Sequence, residues 1–194
     1  MAKQNWKGST LLAPVPSVMV SCGNGDTANI ITIGWVGIAA SHPPKLYISV
    51  RPERYSFNII KESGVFCVNL PTAEMATALD FCGVKSGKDI DKFAHCRLTK
   101  ADCVNIDCVA IEECPINLEC KVAQVLDLGS HHMFLADILG VTVDESLVDD
   151  KGRLMLEKAN LVTYAHGDYF GLGKKLGDFG FSIRKRKNLK RNRK

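Results

Sequence analysis

The chain has 194 residues, 46% hydrophobic and 24% charged, a globular composition that excludes disordered and collagen-like classes. That length fits one domain and buries a full core without disulfide or metal staples. The net charge of +4 hides an asymmetry: residues 184–194, RKRKNLKRNRK, hold four Arg, four Lys and no acid, so without these eight charges the body stands at −4.

The first apolar stretch, LLAPVPSVMVSC, is interrupted by Pro14 and Pro16 and lacks a convincing small-residue cleavage pattern, so it does not read as a signal peptide. No run approaches the ~18 apolar residues that cross a bilayer. A cytoplasmic protein with no membrane partner is expected. SVMVSC and TANIITIGWVGIAA read as two strands joined by the turn GNGD, and SHPP then breaks the chain ahead of a third strand, KLYISV.

RPERYSFNII follows, leading into a short helix that Gly64 ends. Arg51, Arg54 and Ser56 stand where a strand hands over to a helix, and there the first helical N–H groups lack partners. The helix dipole and a guanidinium make such a place fit for a phosphate monoester. The plainer alternative pairs Arg54 with Glu53 or Glu62 and leaves Ser56 to cap the helix.

VFCVNL is a strand stopped by Pro71, and TAEMATALDFCG is a helix with Thr72 as cap, Met75, Leu79 and Cys82 on one face, and Gly83 as its stop. VKSGKDIDKF is a loop with a further helical turn. CVAIEEC, INLECKVAQVLDLG and HMFLADILGVTVDE return to strand, and GLGKKLGDFGFS is a glycine-rich end. Strands without regularly alternating helices point to a mainly antiparallel barrel rather than a Rossmann fold. The spacing G-x-G-x-x-x-G in GLGKKLG, outside any βαβ unit, is not a dinucleotide loop, and the P-loop, zincin and nucleophile-elbow signatures are absent.

Eight cysteines without any C-x-x-C pattern read as reduced, largely buried thiols, with no metal site expected. They admit a thiol redox sensor, but the sequence singles out none of them. The basic tail, 184–194, lacks an aromatic residue to stack on a base and reads as solvated, so nucleic acid is not an expected partner.

The segments ANIITIGWVGIAASHPPKLYISVRPERYSFNIIKESGVFCVNLP, CGVKSGKDIDKF, GSHHMFLADI and LGKKLGDFGFS, in this order, resemble the flavin reductase family and within it the flavoredoxin-like branch. The resemblance implies a single domain over residues 1–183: a mainly β, FMN-binding split β-barrel with a few peripheral helices, working as a homodimer with the flavin near the subunit interface. It implies that Arg54 and Ser56 meet the FMN phosphate, with Arg51 and Tyr55 in the same turn. Asn29, Thr32 and Trp35 then line the isoalloxazine and ribityl groups, Ser41 faces the ribityl chain, Lys92 lies near N1 and O2 of the flavin, and His131 reaches the flavin or nicotinamide side. His132 departs from the family pattern, and adjacent histidines on a strand face opposite ways.

The implied reaction needs no side chain as acid, base or nucleophile, because N5 of FMN accepts hydride from NADH or NADPH and passes electrons to a second acceptor. A non-enzymatic FMN carrier that docks protein redox partners is the rival reading. A polyanion-binding protein using the basic tail is the more distant one.

Overall fold

The computed structural model describes residues 1–183; the basic tail, and the reading of it as solvated, lies outside the described residues. Strands β1 (Val15–Pro16), β2 (Val18–Cys22), β3 (Asn29–Ile33), β4 (Val36–Ser41) and β5 (Pro44–Val50) precede helix α1 (Tyr55–Ser63). Strand β6 (Val65–Leu70), helices α2 (Ala76–Val84) and α3 (Lys92–Cys96), and the hairpin β7 (Lys100–Asp102) and β8 (Val109–Ile111) follow. The long strands β9 (Ile116–Asp127) and β10 (His132–Val143) and a last hairpin, β11 (Val162–Ala165) and β12 (Asp168–Gly171), complete the described chain.

Seven strands form one antiparallel sheet in the order β3-β2-β6-β9-β10-β5-β4. Register shifts between Leu135 and Ala136, Ile138 and Gly140, and Ile38 and Ala40 add the local twist that curls it. The result is the mainly β split barrel that the resemblance implies. Its two edge strands, β3 and β4, are consecutive in the chain, and only Gly34 and Trp35 lie between them. The barrel therefore has a seam bridged by a two-residue link. Trp35 is held there by the Ser49 N–H, which donates to its carbonyl at 2.8 Å.

The run TANIITIGWVGIAA is thus two strands at opposite edges of the sheet, not one; the bend at Gly34 carries the chain across the seam. Strand β2 is buried along its whole length because both its faces are covered. Val18, Val20 and Cys22 face the barrel interior with Ile48, Phe66 and Phe134, while Met19 faces a second core under α2 and α3 with Ile30, Leu79 and Phe93. Two covered faces explain the near-continuous apolar run, which a half-exposed strand would replace with alternation.

Local signals set the helix ends only in part. Gly64 ends α1 in the left-handed region at φ 69°, as the sequence predicts, and its N–H donates to the Ile60 carbonyl at 2.9 Å. The second helix departs from expectation. A 3-10 turn occupies Ala73–Met75, the α-helix starts at Ala76, and Gly83 lies inside its last turn instead of stopping it. The reason is tertiary: a Cβ at Gly83 would come within 3.2 Å of the Thr32 Cβ, so the glycine lets α2 lie close against β3. No helix among the described residues is long and apolar enough to cross a membrane.

Candidate functional site

Beside the seam lies a cleft of about 360 Å³ between β3 and the C-terminal end of β5, walled by Thr32, Trp35, Ser49, Arg51 and Arg54 with His131 from the β9–β10 turn. It adjoins a polar pocket of about 290 Å³ at the start of α1, the two sharing Ile31, Arg54 and Gly83. On its other side, Gly34, Trp35, Ser49 and His131 also border an apolar groove of about 570 Å³.

The polar pocket gathers Asn29, Arg54, Tyr55, Ser56 and Lys92. Asn29 and Ser56 are both buried, and the Asn29 amide donates to the Ser56 hydroxyl at 2.7 Å. Ser56 does not cap α1: the cap position belongs to Arg54, whose side chain makes no capping bond, and Ser56 sits within the first turn. Nor does Arg54 pair with Glu53 or Glu62. Glu53 accepts instead from Arg51 at 3.0 Å, and no ion pair engages Arg54 among the described residues. A cation at a helix N-terminus opposes the local dipole. An anion between them would answer both.

Lys92, which the resemblance implies lies near the flavin, sits at the α1 end of the site. It borders the polar pocket and not the cleft beyond Thr32. Its ammonium is buried and donates to the Ile30 carbonyl at 2.7 Å and the Cys82 carbonyl at 2.8 Å, pinning β3 to α2. Burial pulls its pKa below the ordinary lysine value. An ammonium has three donors and two are spent here, so one remains for the pocket.

Thr32 donates its hydroxyl to the Leu79 carbonyl, which leaves only its lone pairs for the cleft. Trp35 is partly exposed on the link across the seam. His131 and His132 do face opposite ways: His131 borders the cleft with Nδ1 2.9 Å from the Ser130 hydroxyl, whereas His132 meets the Phe57 ring edge-on at 5.0 Å. Burial, then the positive charge of Arg51, pulls the His131 pKa down.

Ser41 is the site residue that the fold sets apart. It pairs with Pro44 at the tip of the β4–β5 hairpin and borders neither the cleft nor the polar pocket. At ~3.3 Å per residue the six-residue strand β4 places it about 16 Å along the strand from Val36. Its S-x-P-P context marks the turn, and a turn can sit far from the site.

The sequence reading missed the opposite wall. Tyr164 of β11, Tyr169 of β12 and Asp80 of α2 border the cleft, the two rings meeting at 61° with centroids 5.6 Å apart. The Tyr169 hydroxyl donates to Asp80 at 3.2 Å, and burial followed by the Asp80 charge pushes its pKa up to about 12. The signal was present in VTYAHGDYF, two aromatic and β-branched runs around a glycine turn. Gly167 takes φ 105° there, a conformation that favours glycine.

A split antiparallel barrel with its cleft at the seam defines a class, and comparison with known proteins gives the family. The family model for the flavin reductase like domain matches residues 11–173. The chain belongs to that family. Among solved structures it is similar to flavoredoxin of Desulfovibrio vulgaris (Miyazaki F), with 29% identity, TM-score 0.88, and coverage of 94% of this chain and 100% of that one. A flavoredoxin from Methanosarcina acetivorans gives 25% identity and TM-score 0.85 over 94% of this chain and 100% of that one. An FMN reductase (NADH), RutF, of Enterobacter cloacae is 26% identical over 128 residues, 60% of this chain and 76% of that protein.

Proposed function

We propose that this protein binds FMN along the seam and passes reducing equivalents from NADH or NADPH through it to a second acceptor. The observation that carries the reading is the junction of two unlike spaces: a polar pocket with an unpaired guanidinium at a helix N-terminus, adjoining at Ile31, Arg54 and Gly83 a cleft with aromatic walls. One molecule with a phosphate at one end and a flat ring at the other suits both.

The residues present fit FMN. Arg54 supplies paired donors for a phosphate, the α1 N-terminus adds backbone N–H groups, and Lys92 adds a buried donor. Gly87 keeps the pocket shape: a Cβ there would stand 1.9 Å from the Asn29 amide oxygen. Trp35, Tyr164 and Tyr169 offer apolar surface to a ring, and Thr32 offers lone pairs to an N–H. FMN, when bound, supplies the two-electron chemistry. The protein's residues orient it, shield one end from water and hold positive charge near its phosphate; no side chain moves a proton in this scheme.

A second reading has its own support. The similarity to two flavoredoxins favours an FMN carrier that docks protein redox partners. A homodimer fits either reading, since Ile38, Leu128, Leu139 and Val141 are exposed apolar side chains that a second copy would cover; light scattering checks it.

The deciding experiment follows the visible spectrum of the FMN-loaded protein without oxygen. Prompt bleaching by NADH or NADPH supports the oxidoreductase. Bleaching only by a reduced protein donor supports the carrier. Failure to retain FMN over riboflavin overturns the assignment of the pocket.

A further inference from the structure

Away from the seam, three thiols lie together between the β7–β8 hairpin and β6. The register pairs Lys100 with Ile111, Ala101 with Ala110 and Asp102 with Val109, so the next facing pair is Cys103 and Cys108. The Cys103 N–H donates to the Cys108 carbonyl at 3.2 Å, which continues the ladder to that pair. Facing residues on antiparallel strands have Cα atoms about 4.5–5.5 Å apart. A disulfide spans about 4.4–6.8 Å. Cys67 approaches from β6, and the three cysteines pack in one cluster.

We propose that Cys67, Cys103 and Cys108 form a hydroperoxide-reactive thiol site, in which Cys103 is oxidised first and closes a disulfide with Cys108. This does not rest on the flavin reading.

Exposure singles out Cys103. It is only partly buried, whereas Cys67 and Cys108 are buried beneath it with Ala110, and Val65, Ala101 and Ile106 pack around them. The trio also favours the anion at that position. The neighbouring Cys108 and then Cys67 thiols draw the Cys103 pKa down, while Cys103 and burial push the two inner thiols up; the Cys108 thiol itself donates to the Ser21 and Val109 carbonyls, both at 3.6 Å, and the Cys67 thiol to the Asn69 side-chain oxygen at 3.5 Å. The carboxylates of Glu119 and Asp102 act the other way. Glu119 is largely committed, accepting from the N–H groups of Val104 and Asn105 at 2.9 and 2.6 Å. Those two bonds fix the loop between the cysteines, and Asn24 fixes its far side by donating to Asp107 at 2.8 Å. Burial instead raises Cys96, the other partly exposed thiol. Among the described residues no group of three or more His, Cys, Asp or Glu is placed to hold a metal.

The chemistry balances with the oxidant named. The Cys103 thiolate attacks one oxygen of a hydroperoxide, the O–O bond breaks, and the departing oxygen takes a proton to leave as water or an alcohol. Cys103 then carries S–OH. The Cys108 sulfur attacks the Cys103 sulfur, the S–O bond breaks, and the hydroxide leaves as water with the Cys108 proton. Two thiols lose two electrons, and the peroxide gains them.

The test treats the reduced full-length chain with equimolar hydrogen peroxide and maps the products by mass spectrometry. The expected product has lost two hydrogens and yields a linked Cys103–Cys108 peptide. Cys108→Ser should leave Cys103 as a dimedone-reactive sulfenic acid or bonded to Cys67, and Cys103→Ser should abolish the reaction at the trio. A measurement on the unaltered chain stands apart from variant folding: at mildly acidic pH, iodoacetamide should label Cys103 roughly tenfold faster than Cys96. Equal rates, or peroxide oxidation that begins at Cys96, would overturn the proposal.

Discussion

At the α1 end of the seam polar side chains hold one another, Asn29 to Ser56 and Lys92 to two carbonyls, whereas at the Trp35 end the side chains are more open and fewer are tied down. The first end is fixed before any ligand arrives, so binding there costs little ordering of side chains. At the second end Trp35 is partly exposed beside an apolar groove, and among the described residues the His131 ring makes a hydrogen bond only with its neighbour Ser130. In the proposed function the built end gives flavin affinity, and the open end leaves room for whatever delivers or takes electrons. Substitutions at the two ends should therefore fail in different ways.

The largest effect is expected at Lys92. Lys92→Met removes the donor from two carbonyls inside the fold and unpins β3 from α2. An unsatisfied buried group costs about 1–3 kcal/mol, so two carbonyls cost about 2–6 kcal/mol. At ~2–4 °C per kcal/mol for a chain of this size, melting should fall by roughly 4–24 °C even without flavin. A melting point within two or three degrees of wild type, measured by calorimetry, would mean that the α1 end is not held as described.

Arg54→Ala should leave melting nearly unchanged, because no ion pair is lost. It should weaken FMN binding by roughly 10–100-fold, the weight of one charge-assisted contact of about 1.5–3 kcal/mol. Riboflavin, without the phosphate, should lose no more than about threefold. Fluorescence titration with both flavins reads the difference, and an equal loss for the two would remove the phosphate from Arg54.

Gly87 and Gly83 sharpen the comparison inside one segment. An added Cβ meets the Asn29 amide oxygen at 1.9 Å in the first case and the Thr32 Cβ at 3.2 Å in the second. Gly87→Ala must push Asn29 off Ser56, with a cost near the ~1–3 kcal/mol of overpacking and a several-fold loss of FMN affinity. Gly83→Ala asks for a shift of a few tenths of an ångström and should cost less on both measures. The reverse order would show that the α2–β3 contact, not the Asn29 bond, shapes the pocket.

What could be read from sequence follows the range of the interactions involved. The turn RPERYSFNII was legible because α1 is bounded by local chemistry, the Gly64 cap above all, and because arginine and serine at a helix start suggest an anion on their own. Lys92 was harder: the residue was found, but its partners lie 62 and 10 positions away, and no local pattern shows that two carbonyls hold it. S-x-P-P at Ser41 fixes a turn and says nothing of where the hairpin points. The second strand run was read as continuous because the bend at Gly34 is required only by pairing β3 and β4 at opposite edges. The Tyr164 and Tyr169 wall was there to be read as a hairpin, yet its place at the cleft depends on β11 pairing with β1, far away in sequence.

The smallest effect tests the open end through His131. Its pKa lies below the ordinary 6.5, with burial the larger cause and the Arg51 charge the smaller, while Glu53 acts to raise it. Between the folded value and 6.5 the unfolded chain therefore binds more protons, so wild-type stability should rise with pH through that window and fall as pH drops back through it. His131→Asn should flatten the slope. Arg51→Gln should return the pKa only part of the way, since burial remains, and Glu53→Gln should lower it further by freeing the Arg51 charge. NMR titration of the ring protons at two salt concentrations separates the causes: the Arg51 part should shrink in high salt, because that pair is exposed, and the burial part should persist. An Arg51→Gln shift unchanged by salt would mean that Arg51 and His131 meet in a closed site, and the two ends of the seam would then be built alike.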